Sequence, residues 1–89
     1  MDEKLITRTY LLSLITSTSF SKRDTVTICT LDVNGLPIRG ESHVAFRKDY
    51  VQAIGEEVAY ENALKQLRAH EVYASRKLLV QANAETVNS

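Results

Sequence analysis

The sequence predicts an α+β domain: an N-terminal helical segment, a two-stranded antiparallel β-hairpin and a long C-terminal helix. Two observations carry most of this. Two runs of strand-forming residues, 24–33 and 36–44, flank Asn34-Gly35, a dipeptide suited to the two positive-φ positions of a type I′ turn. From about residue 49 to residue 82, apolar side chains recur at threes and fours, the period of a helix. No long Gly/Ser/Pro-rich linker separates these regions, and 89 residues are too few for two independent cores. The expectation is therefore one domain over residues 1–82, with a polar, aperiodic tail over 83–89 that frays.

In chain order, Leu5, Ile6, Leu11, Leu12, Leu14 and Ile15 give a short amphipathic helix up to Ile15. Thr16-Ser17-Thr18-Ser19 ends it, because hydroxyl side chains compete for the backbone hydrogen bonds. In the hairpin, a two-residue turn pairs Val33 with Leu36, Leu31 with Ile38 and Cys29 with Gly40. These residues share the core face, and Thr30, Asp32, Arg39 and Glu41 share the solvent face. Pro37 cannot donate a ladder hydrogen bond, so its strand lies at an edge or its donor position points outward.

For the C-terminal helix, Asp49 is the expected N-cap with Gln52 three residues on, and Glu61 precedes Lys65 by one turn. Its predicted buried stripe is Ile54, Val58, Leu64 and Leu67, with Ala59, Ala63 and Ala69 leaving room for another helix. Gly55 costs about 1 kcal/mol of helix propensity relative to Ala and so marks close packing. A bend or break is expected near residues 68–71, because an unbroken helix would be long for so small a protein. The Leu11/Leu12/Ile15 segment completes the core or a dimer interface.

Composition removes several function classes. Eleven basic and eleven acidic residues give zero formal net charge, without the positive field that drives nonspecific nucleic-acid binding. The longest early apolar run, Tyr10-Leu11-Leu12, is too short to span a bilayer, and the start Met1-Asp2-Glu3-Lys4 lacks the basic lead of a secretory signal. The lone Cys29 fits a reducing cytoplasm. It sits on a strand without a base or helix N-terminus to activate it, so it reads as a small core residue.

No catalytic or cofactor set emerges. His43 and His70 lack companion ligands at metal-binding spacing. Glu56, Glu57 and Glu61 read as a solvated helix face, and Gly35, Gly40 and Gly55 match no phosphate-binding fingerprint. What remains is a Tyr/Arg/Lys set, made of Arg47, Lys48, Lys65, Arg68, Arg76 and Lys77 with Tyr50, Tyr60 and Tyr73. Tyr and Arg dominate binding hot spots. The candidate partner-binding residues are Arg39, Glu41 and His43 on the hairpin face, and Tyr60, Arg68 and Tyr73 on the helix.

Several motifs carry a family likeness: Thr25-Val26-Thr27-Ile28-Cys29-Thr30-Leu31 with Asn34-Gly35, Gly40-Glu41-Ser42, Ile54-Gly55, and above all Ala59-Tyr60-Glu61-Asn62-Ala63-Leu64. Over residues 25–79 the chain resembles a family of small tailed-phage accessory proteins named after genes of the N-four coliphage and the Sf-six Shigella phage. It departs where the family has a Leu-Glu-Gly-Tyr-like segment and this chain reads His70-Glu71-Val72-Tyr73, and its first twenty residues lie outside the likeness. The resemblance implies a phage or prophage product acting in the host bacterial cytoplasm, and it supplies no active site. It implies an inhibitor or modulator of a host protein complex, with anti-defence, anti-CRISPR-like activity as the leading expectation. The alternative is a cyclic-nucleotide or nucleic-acid sponge using the Tyr/Arg/Lys set. Homodimerisation is expected, through hairpin edges or the Ala-rich helix face.

Overall fold

The computed structural model describes residues 3–44 and 51–88, with side chains described to residue 81. A 3-10 turn at Glu3–Leu5 leads into α1, Arg8–Leu14. Strands β1 (Ser17–Arg23), β2 (Val26–Val33) and β3 (Leu36–His43) follow, and α2 (Gln52–Asn88) completes the chain. The fold is α+β as expected, but the sheet is three-stranded and antiparallel in the order β1-β2-β3, not a two-stranded hairpin.

α1 starts at Thr7, whose hydroxyl accepts a hydrogen bond from the Tyr10 N–H at 3.2 Å, satisfying one of the donors left over at a helix start. It ends at Leu14, one residue before the expected limit. The hydroxyl-rich segment that ends it is itself the start of β1. Ser17 pairs with Asp32 and Arg23 with Val26, the turn between them using Asp24 at φ 56°.

The second hairpin has the predicted register: Val33 opposite Leu36, Leu31 opposite Ile38, Cys29 opposite Gly40. Asn34 and Gly35 both have positive φ, 53° and 85°, as the turn type demands. The Gly35 N–H donates to Asp32 Oδ1 at 2.7 Å, which adds a side-chain clamp to the turn. Cys29, Leu31 and Ile38 are buried, while Leu36 at the turn is exposed. Pro37 lies on an edge strand, where its missing donor costs nothing.

α2 runs without a break for 37 residues, about 55 Å at 1.5 Å per residue. No break occurs near residues 68–71, and the helix continues through 83–88, the segment expected to fray. The proposed N-cap Asp49 lies outside the described residues, as do Arg47, Lys48 and Tyr50.

The buried stripe also differs from the expected one. Leu64 and Leu67 are buried, but Ile54 and Val58 are 59% and 42% exposed. In their place the small residues Gly55, Ala59 and Ala63, spaced i, i+4, are buried, and Ala59 and Ala63 lie against β3. The reason is distance. A Cβ on Gly40 would sit 2.1 Å from the Ala63 nitrogen and 2.4 Å from the Ala59 carbonyl oxygen. The strand therefore meets the helix backbone to backbone, and only Gly opposite Ala allows it. Ala59 and Ala63 admit a strand, not a second helix, and Ala69 is exposed.

Ile6 and Leu11 join Cys29, Leu31, Ile38, Leu64 and Leu67 in one core, with Tyr10, Ile15, Tyr60 and Val72 packed around it; Leu12 is exposed. Arg8 holds Glu61 through two hydrogen bonds of 3.0 and 2.8 Å, a bidentate pair tying α1 to α2. Among the described residues no helix is long and apolar enough to cross a membrane.

Candidate functional site

The alternation of β3 places Arg39, Glu41 and His43 together, all exposed, on the sheet face turned away from α2. They stand opposite Thr30, Ile28 and Val26 of β2. His43 Nε2 lies 2.8 Å from Glu41 Oε2, so the two side chains form one polar unit at the end of the strand.

The three helix candidates do not form one surface. Tyr60 is half-buried against the core. The Arg68 guanidinium donates to the Ile6 carbonyl, which fastens the N-terminal segment to α2. Tyr73 is 68% exposed on the opposite flank. At about 100° per residue, the eight residues from Tyr60 to Arg68 keep them on neighbouring faces, whereas the five from Arg68 to Tyr73 carry the chain about 140° around the helix.

Tyr73 instead joins the hairpin residues. An open groove runs between the β3 edge and α2. One stretch, about 360 Å³, is lined by Arg39, Glu41, Asn62, Lys65 and Gln66 with Gly40. The next, about 420 Å³, is lined by Arg39, Gln66, Ala69, His70 and Tyr73 with Pro37 and Ile38. Arg39 belongs to both. Asn62 Nδ2 donates to the Glu41 carbonyl at 2.7 Å, pinning the strand edge to the helix in the first stretch.

Three residues of the helix lining, Asn62, Gln66 and His70, were not among the candidates read from the sequence, whereas Tyr73 was. Asn62, Gln66, His70 and Tyr73 fall at i, i+4, i+8 and i+11, one flank of a helix, with Lys65 beside them. That spacing was visible, but nothing marked the flank as the one beside a strand edge. Lys65 was expected to pair with Glu61, which Arg8 takes instead. Hydrogen bonding to Arg8 and its charge hold the Glu61 carboxyl below the usual carboxylate range, with Lys65 adding a smaller pull.

The groove carries Arg39 at its rim, cationic Lys65, amides from Asn62 and Gln66 and the ring of Tyr73, while the Glu41 carboxylate faces His43. Such a surface can take hydrogen bonds and negative charge along an extended ligand, with Tyr73 as a contact plate. Burial pushes the Cys29 thiol up from its ordinary range, so it stays protonated within the core. Among the described residues no three His, Cys, Asp or Glu side chains group as metal ligands.

A family model described as the Phage protein (N4 Gp49/phage Sf6 gene 66) family matches residues 5–79. The match takes in the N-terminal helix and β1, which the sequence reading had placed outside the likeness, in keeping with their share of the core and sheet. No curated protein and no solved structure matches the chain. With 75 of its 89 residues covered (79 − 5 + 1), the chain belongs to the N4 Gp49/phage Sf6 gene 66 family of phage proteins.

Proposed function

We propose that this phage protein is a binding factor, not an enzyme. It acts in the host bacterial cytoplasm by occupying a surface of a host protein complex and inhibiting or modulating it, in an anti-defence, anti-CRISPR-like role. The observation that supports this reading is the groove between β3 and α2. It is open along its length rather than closed around a small molecule, and it presents Arg39 and Tyr73 beside an outward strand edge. An extended segment of a partner protein fits there by hydrogen bonding to the outward backbone of Arg39 while acidic side chains meet Arg39 and Lys65.

The test is capture of the partner from host lysate by tagged wild-type protein and by the double variant Arg39→Glu/Tyr73→Ala, followed by light scattering on the recovered complex. The reading predicts a stoichiometric complex with wild type and a loss of at least about tenfold in capture with the variant, at unchanged circular dichroism. A folded variant that retains the partner would remove the groove from the proposal. Recovery of nucleotide or nucleic acid instead, with binding that falls steeply as salt rises, would transfer the weight to the sponge function.

A further inference from the structure

The two edges of the sheet are treated differently by the fold. In a two-residue hairpin the residues flanking the turn exchange backbone hydrogen bonds, and every second pair thereafter does the same. On β3 this turns Pro37, Arg39, Glu41 and His43 outward, in keeping with the Asn62 hydrogen bond to the Glu41 carbonyl. That edge is guarded against a full strand on either side of Arg39: Pro37 offers no N–H, Asn62 occupies the Glu41 carbonyl, and α2 runs alongside.

On β1 the same rule turns Ser17, Ser19, Ser21 and Arg23 toward β2, and Thr18, Phe20 and Lys22 outward. This edge has none of those defences. All seven residues are exposed, there is no proline, and Phe20 is a large apolar side chain with 42% of its surface open.

We propose that β1 pairs antiparallel with β1 of a second copy of the chain, joining two three-stranded sheets into one of six strands. The argument for a second copy is self-complementarity. Phe20 is the middle residue of the seven and points its backbone outward, so a two-fold axis through the Phe20 pair overlaps the full strand and sets like backbone positions face to face. The two Phe20 residues exchange their backbone hydrogen bonds on the axis, and their rings stand side by side on the same face. Charge agrees with the antiparallel sense. Lys22 and Arg23 lie at one end of the strand, and a parallel pairing would bring all four cations together. The antiparallel pairing sets Arg23 of the second copy opposite Ser17, in the cross-strand row that contains Asp32. The dimer carries its two β3–α2 grooves at opposite ends of the sheet. It stands independently of what those grooves bind.

The test begins with light scattering on the purified protein, which should report a dimer at micromolar concentration. Phe20→Lys places like charges on the axis and should give a monomer with unchanged far-ultraviolet circular dichroism. As a second measurement, Phe20→Cys, made in a Cys29→Ala background because Cys29 is its direct partner on β2, should form a covalent dimer on mild oxidation, since an exchanged hydrogen-bonded pair holds its Cα atoms about 5.5 Å apart, within disulfide reach. Thr18→Cys should not, because the register separates the two copies of residue 18 by about 14 Å along the strands. A monomeric wild type overturns the proposal, as does a folded Phe20→Lys protein that stays dimeric. If Phe20→Lys does not fold, the cross-link decides alone: its absence at residue 20, or its equal formation at residue 18, overturns the pairing.

Discussion

The two halves of α2 are made of similar residues and live in different surroundings. From Gly55 to Ser75 the helix is clasped on two sides, by β3 along Ala59 and Ala63 and by the N-terminal segment around Leu64 and Leu67. Beyond Ser75 it leaves the body of the domain. Leu78, Leu79 and Val80 are all exposed there, and the molecule reaches 62 Å in its longest dimension. An eight-residue strand spans only about 27 Å, so half of a 55 Å helix has no sheet beneath it. In this chain Ala59 and Ala63 mark where the helix meets the strand, and a large apolar side chain is no mark of burial by itself: Leu64 and Leu67 are buried, whereas Ile54, Val58, Leu78, Leu79 and Val80 are exposed.

The sharpest way to break the clasped half is Gly40→Ala. The new methyl would collide with the backbone of Ala59 and Ala63, atoms that no rotamer change can move aside, and the strand and helix would have to separate. A loss of at least about 3 kcal/mol in urea unfolding is expected. A loss below about 1 kcal/mol would show that the two elements do not touch as described.

The same deletion made in both halves tests the contrast directly. Leu67→Ala opens a cavity in a site that is 1% exposed and should cost about 2–5 kcal/mol. Leu79→Ala removes the same atoms from an exposed site and should stay within about 0.5 kcal/mol. Equal losses at the two positions would mean that the outer half is covered in solution.

The smallest effect belongs to the Arg8–Glu61 pair. Arg8 lowers the folded-state pKa of Glu61, so the contribution of this pair to stability is present above the unfolded carboxylate pKa and disappears as pH falls through the folded value. Both groups are exposed, and the effect is small and screened by salt. Glu61→Gln should lower the melting temperature slightly at neutral pH and not at all in strong acid. A difference that survives acidification would have to come from something other than the charge.

Legibility in the sequence follows the same division. The second hairpin could be read to the residue, since Asn34-Gly35 fixes both the turn and the register, and alternation then delivers Arg39, Glu41 and His43 to one face. β1 could not. Ser17-Thr18-Ser19-Phe20-Ser21-Lys22-Arg23 buries nothing, and without a buried face there is no apolar alternation to detect. The one available signal was the two-residue Asp24-Thr25 turn, which lacks the glycine that makes such turns conspicuous. The helix stripe was misassigned because Ile54 and Val58 outrank Gly55 and Ala59 on any hydrophobic count, while the close approach at Gly40 reverses that order. The groove needed Tyr73 set beside Arg39, and that neighbourhood comes from the crossing of α2 over β3, which no local pattern records.

The clasp around Leu67 also sets an order of events during synthesis. Ile6 and Leu11 leave the ribosome ahead of Leu64 and Leu67, the α2 residues that share their core and lie more than fifty positions later. At about 5–20 residues per second, Leu11 waits roughly 3–11 s before Leu67 has even been added. Arg8, Ile6 and Glu3 wait in the same way for Glu61, Arg68 and Arg76. The nascent chain can close its hairpins early, but Ile6 and Leu11 stay without their α2 partners until that helix arrives, so a chain cut short within α2 exposes the segment around α1 that the folded domain hides.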